Sequence, residues 1–143
     1  MKTVGELLQG KGNHVWSVDP DQTVYETLQL MADKDIGGVL VMESGHPVGI
    51  FTERDYARQV VLKGKASREL QVRDVMTRRV VYVRPDQTLE ECMALMTDKR
   101  IRHLPVMSDS QLLGLVSIGD VVKAVISEKQ YLIQQLEHYI QNP

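Results

Sequence analysis

A hydroxyl residue followed three positions later by an aspartate occurs twice in this chain, as Thr52-Glu53-Arg54-Asp55 and as Ser117-Ile118-Gly119-Asp120. In each copy an apolar run opened by glycine, Gly49-Ile50-Phe51 or Gly114-Leu115-Val116, leads into the hydroxyl, which reads as a strand running into the first turn of a helix. Backbone amides and the positive end of the helix dipole converge there, so an anionic or hydroxyl-rich ligand is readily held. A carboxylate at the third helical position points back toward that opening and can accept from two vicinal ribose hydroxyls. The same residues also make plain capping pairs, and one copy by itself leaves both readings open.

Other chemistry is poorly supplied. Neither Thr52 nor Ser117 has a predictable base beside it, so no catalytic set emerges, and a duplicated site suits sensing better than turnover. Four histidines without paired spacing and one cysteine make no metal site. His46 and His138 read as a turn residue and a helix-surface residue. Gly49 and Gly114 are single glycines at strand starts, not a phosphate loop. Cys92, among Met93, Leu95 and Met96, reads as a small buried hydrophobe.

The elements that position these residues follow from pattern. Residues 1–17 form a lead-in: an apolar-patterned piece (Val4, Leu7, Leu8), a flexible stretch from Gln9 to His14, and Val15-Trp16-Ser17 entering a strand. Thr23 with Glu26 three residues on is a capping box, and Val24, Leu28 and Met31 give an apolar helical face, so an amphipathic helix is expected to about Lys34. The nearly unbroken apolar run over residues 36–42 suggests a strand buried on both faces. After a turn at 43–47, a second strand, 48–51, hands over at Thr52 to a helix carrying Tyr56, Ala57, Val60 and Val61.

The pattern then starts again. Residues 18–60 and 83–125, compared at a constant offset of 65, are identical at 16 of 43 positions without a gap, including Pro20/Pro85, Thr23/Thr88, Glu26/Glu91, Gly49/Gly114 and Asp55/Asp120. That agreement marks a duplicated β-α-β-β-α unit. The expected division is lead-in 1–17, first repeat 18–62, connector and leading strand 63–82, second repeat 83–126 and C-terminal helix 127–143. In that last helix Tyr131, Leu132, Leu136, Tyr139 and Ile140 form an apolar stripe that either covers the module or contacts another subunit.

Composition excludes several classes. The 143 residues are 43% hydrophobic, enough for a real core, and 17 basic against 19 acidic residues leave a formal charge of -2, no footprint for nucleic acid. No apolar run approaches the ~20 residues of a membrane span, and the glutamines of the last helix argue against a membrane-surface role. A soluble cytoplasmic protein is expected.

Two copies of Val-x-Pro-Asp-x-Thr, each followed by a helix ending near Met and then by Gly, two apolar residues, Ser or Thr, and an Asp three residues on, resemble a tandem pair of cystathionine β-synthase (CBS) domains, a Bateman module. The resemblance covers roughly residues 4–127. It implies an α/β (α+β) fold of two βαββα repeats packed about a pseudo-twofold axis, with two clefts for adenosine ligands such as AMP, ATP, NAD(H) or S-adenosylmethionine. In those terms Asp55 and Asp120 take the ribose, Thr52 and Ser117 are the hydroxyl contacts, and Ile50 and Leu115 are the adenine wall. The family places phosphate contacts at the start of the strand after the amphipathic helix, which here are Arg102-His103 and Gly37-Gly38. The Asp55 cleft would receive Arg102 and His103, and Arg54 and Arg58 would add charge to one of the clefts. The Asp120 cleft would see Gly37, Gly38, Gly119, His14 and Val15. Thr77 and Val80 of the connector belong to the same nucleotide-binding set. Arg102 also reads as a solvated surface charge and His103 as a half-buried strand residue. The functional expectation is a non-enzymatic nucleotide sensor, homodimeric as such modules usually are, without a catalytic cofactor and with an unspecified protein target; a ligand-independent structural or adaptor protein is the alternative.

Overall fold

The computed structural model describes residues 2–12 and 14–141; Asn13, part of the expected flexible stretch, lies outside them, as do Met1, Asn142 and Pro143. In order, the elements are α1 (Val4–Lys11), β1 (Ser17–Val18), α2 (Val24–Lys34), β2 (Gly38–Glu43), β3 (His46–Thr52), the single turn α3 (Glu53–Asp55) widening into a π-helical run (Tyr56–Val61), a 3-10 turn (Val72–Asp74), α4 (Leu89–Lys99), β4 (His103–Ser108), β5 (Gln111–Ser117) and α5 (Ile118–Gln141). They divide into two compact units: His14–Val81, and Met1–Asn13 with Tyr82–Pro143.

In the His14–Val81 unit, β1 runs parallel to β2, and β2 pairs antiparallel with β3, with a register shift between Val41 and Met42. Helix α2 begins at the expected capping box: the Glu26 amide donates to the Thr23 hydroxyl at 3.0 Å, and the Thr23 amide donates to the Glu26 carboxylate at 3.3 Å. Its buried face is Val24, Thr27 and Met31, with Leu28 only partly buried against the same core. Thr27 is tolerated there because its hydroxyl donates to the Thr23 carbonyl at 2.9 Å, so that hydroxyl is not buried unpaired. Phe51, Val39, Val41 and Val60 complete a core that also takes Val72 and Val75 from the connector.

The other unit repeats this plan. β4 pairs antiparallel with β5, shifting register between Val106 and Met107, and Val83 makes a single parallel bridge to Val106 where β1 stands in the first repeat. Thr88 and Glu91 cap α4 as Thr23 and Glu26 cap α2. Leu89, Cys92, Met96, Leu104, Val106, Val116 and Val121 are buried, together with Val4, Leu7 and Leu8 of α1.

The lead segments are exchanged between repeats. Val72 donates to the Gln22 carbonyl at 2.8 Å and Arg73 to that of Pro20 at 3.1 Å, so the connector docks on the first repeat. Val4 donates to the Gln87 carbonyl at 2.8 Å and Gly5 to that of Pro85 at 2.9 Å, so the segment that precedes the first repeat docks on the second.

Four expectations need correction. The stretch after Leu8 is not loose: α1 continues through Lys11, and the Gly12 amide donates to the Leu8 carbonyl at 2.7 Å. The helix after Thr52 is α-helical for one turn only and then π-helical, with Val60 buried and Val61 exposed. The strand expected from Ile36 starts at Gly38. No break occurs near residue 127: α5 is one helix of 24 residues from Ile118. Its apolar stripe does not cover the module, because Leu132, Leu136, Tyr139 and Ile140 are 53–73% exposed. Among the described residues no helix is long and apolar enough to cross a membrane.

Candidate ligand site

Each repeat ties its (Ser/Thr)-x-x-Asp into one hydrogen-bonded knot where a strand meets a helix. In the first, β3 delivers Thr52 to the N-cap of α3 in extended conformation, and the Asp55 amide donates to its hydroxyl at 3.3 Å. Asp55 Oδ2 accepts in return from the Thr52 amide at 3.0 Å and the Thr52 hydroxyl at 3.1 Å. The other oxygen, Oδ1, accepts from the Thr77 hydroxyl at 2.9 Å. Thr77 is held there by two backbone bonds of 2.9 Å with Ile50, which extend the sheet by one bridge. Gly49 permits this approach: a Cβ there would collide with Met76 and lie 3.0 Å from the Thr77 carbonyl.

Gly37 contributes through its backbone, its carbonyl accepting from the Glu53 amide at 3.1 Å, and Gly38 stands opposite Thr52 in the β2–β3 register. Ile50 is buried and Thr52 and Asp55 are half-buried, so a partly dry carboxylate follows a buried apolar residue along the same segment. Arg54 is exposed on α3, Arg58 is exposed on the π-helical run, and Val80 is half-buried in the connector. His14 packs edge-on against Trp16, ring centroids 4.3 Å apart, with Val15 half-buried between them in sequence; both belong to the Asp55 unit.

In the second repeat the Ser117 amide donates to Asp120 Oδ2 at 2.9 Å and the Asp120 amide to the Ser117 hydroxyl at 3.1 Å. The third partner differs. Lys11, from the end of α1, places its ammonium 2.6 Å from Asp120 Oδ2 and 2.6 Å from the Leu115 carbonyl. Burial raises the Asp120 pKa, but the Lys11 hydrogen bond, the Ser117 amide and the Lys11 charge outweigh it, and the carboxyl titrates below its ordinary value.

Arg102 and His103 lie in this unit. The Arg102 carbonyl accepts from the Ile118 amide at 2.8 Å, repeating the role of Gly37, while its side chain is exposed. His103 stands opposite Ser117 in the β4–β5 register. Burial lowers its pKa; the nearby Asp120 charge opposes this, and Lys11 and Arg102 add to it, so the ring is held neutral to lower pH than usual. Leu115 is half-buried, and Gly119 is exposed on the first turn of α5.

The capping bonds are present in both repeats, and a ligand would have to use the same carboxylate atoms. Lys11 is the one participant that sequence reasoning missed. A signal existed: Val4, Leu7 and Leu8 match Val72, Val75 and Met76 at an offset of 68, three more than the repeat offset, which marks α1 as the counterpart of the connector.

Comparison with known proteins agrees with this architecture. The sequence model of the CBS domain matches residues 11–62 and 72–127. The mitochondrial CBS domain-containing protein CBSX3 of Arabidopsis thaliana is 38% identical over 149 residues, spanning 97% of this chain and 72% of that one. The crystal structure of the CBS domain protein NE2398 is 49% identical and superposes with a TM-score of 0.84, covering 87% of this chain and 98% of that one. At 19% identity, and so at the level of fold, the CBS domain pair of MJ0100, solved with 5′-methylthioadenosine and S-adenosyl-L-methionine, gives a TM-score of 0.78 over 90% of this chain and 98% of that one. With two matched copies covering most of its length, the chain belongs to the CBS domain family as a tandem pair.

Proposed function

We propose that the chain is a regulatory, non-catalytic module that binds an adenosine ligand and passes on its presence as a change of conformation or assembly. The observation that carries this is the same strand-to-helix carboxylate built twice, at Asp55 and Asp120, each half-buried beside an apolar residue, Ile50 or Leu115. Adenosine compounds in the MJ0100 pair support the ligand class. In this reading Asp55 and Asp120 accept from ribose hydroxyls, Ile50 and Leu115 face the base, and Arg102 and His103 serve the phosphate. Thr52 and Ser117 hold the helix ends. A second copy of the chain is the proposed partner of the exposed α5 stripe, and the cytoplasm is the proposed compartment.

Thermal melts with AMP, ATP, NAD, NADH and S-adenosylmethionine test it, beside native mass spectrometry of the freshly purified protein, which reports bound nucleotide and oligomer together. A ligand at 100 times its Kd adds about 2.7 kcal/mol of stability and raises the melt by several degrees. The shift is expected to vanish in the Asp55→Asn/Asp120→Asn double variant. Melts unchanged by all five compounds, or a shift that survives the double variant, overturn the proposal.

One observation favours the adaptor alternative. Both carboxylates are already engaged, Asp55 by Thr52 and Thr77 and Asp120 by Ser117 and Lys11, as structural caps would be. Empty protein on mass spectrometry, with partner capture indifferent to nucleotide, is the result that alternative requires.

A further inference from the structure

The two carboxylates are capped alike but neutralised differently, and we propose that Lys11 makes the Asp120 site selective for adenosine ligands that carry a phosphate over uncharged ones. The inference rests on the adenosine reading of the site and adds a residue and a chemical preference to it. Asp55 finds its third partner in a neutral hydroxyl, Thr77, at 2.9 Å. Asp120 finds it in an ammonium at 2.6 Å, which also binds the Leu115 carbonyl. Lys11 reaches this point because α1 is anchored by buried Val4, Leu7 and Leu8, and because Leu8 packs on Gly114, where a Cβ would approach Leu8 Cδ2 to 2.8 Å.

The consequence is a matter of charge exchange. Asp120 Oδ2 already accepts from Ser117 and Lys11, so a ribose diol that engages both carboxylate oxygens must share or displace the ammonium. An uncharged nucleoside takes the anion from Lys11 and returns only hydroxyls. A phosphorylated one offers the displaced ammonium a new anion, and charge-assisted bonds are roughly twice as strong as neutral ones. The Lys11 side chain is 37% exposed, which leaves it room to swing from carboxylate to phosphate. At Asp55 no such exchange is required, since Thr77 carries no charge.

Calorimetric titration of Asp55→Asn protein, which keeps only the Asp120 carboxylate, with AMP and with adenosine at fixed ionic strength tests the proposal. Adding Lys11→Met is expected to tighten adenosine, weaken AMP and so reduce the AMP-over-adenosine preference at least tenfold, while Lys11→Arg retains it. A preference changed less than twofold by Lys11→Met, or an equal weakening of both ligands, overturns it. Binding by wild type but not by Asp55→Asn protein overturns it while leaving the adenosine reading standing on Asp55. No binding of either compound by any variant removes both. Thermal melts of each ligand-free variant confirm that binding is compared between folded proteins.

Discussion

His103 and Asp120 lie within electrostatic reach of one another in the second repeat and respond to acid in different pH ranges. His103 titrates below its ordinary value of 6.5, chiefly because burial disfavours the charged ring. As pH falls below 6.5 the unfolded chain takes up a proton that the folded one refuses, so stability declines until pH reaches the folded value, and is level again below it. Asp120 behaves as a stabilising carboxylate: its contribution is complete above its ordinary 3.8 and is lost as pH falls through its lower folded value. Urea midpoints measured between about pH 7 and pH 5 are therefore expected to fall less steeply in His103→Gln than in wild type, within the window set by its lowered pKa. An unchanged slope would show that His103 charges as freely folded as unfolded. Cys92 needs no such test of role: it is fully buried, and burial pushes its thiol up to about 11, so it serves as a core hydrophobe, as its Met and Leu neighbours implied.

Among the elements, those written within a few residues were legible and those made across the chain were not. Both capping boxes, the buried β2 run and the duplication itself follow from local pattern and from the offset of 65. The docking of α1 is a contact between residues 80 to 109 positions apart, and Lys11 looked like one more polar residue in a glycine-rich stretch. The π-helical run after Asp55 has no sequence signature that we can name. The repeats also differ in how rigidly they press on their glycines. A Cβ at Gly49 would meet Met76 and also the Thr77 backbone carbonyl at 3.0 Å, whereas the three atoms nearest to one at Gly114 all belong to the Leu8 side chain. Gly49→Ala is expected to cost about 1–3 kcal/mol and Gly114→Ala distinctly less, because a side-chain end can move and a paired backbone cannot. Equal losses in denaturant melts would contradict this.

At the scale of the molecule, the exchanged lead segments make one unit continuous in sequence and the other discontinuous. Truncating the first 12 residues removes Val4, Leu7 and Leu8, all buried, from the second repeat, and leaves the first repeat's own cover, Val72 and Val75, in place. Each lost large side chain costs about 1.5–3 kcal/mol of burial. Hydrogen exchange on the truncated protein is expected to show protection lost in β4 and β5 and kept in β2 and β3. The reverse pattern would mean that α1 supports its neighbour in sequence after all.

The discontinuity also sets an order in time as the chain leaves the ribosome. The contacts internal to His14–Val81 have both partners present once Val81 has emerged, while the rest is still being made. Helix α1 emerges before the residues it docks on: its docking carbonyls belong to Pro85 and Gln87, and the groove at Gly114 that seats Leu8 does not exist until β5 is synthesised. At ~5–20 residues per second that is a wait on the order of seconds, during which Val4, Leu7 and Leu8 lack the surface that buries them.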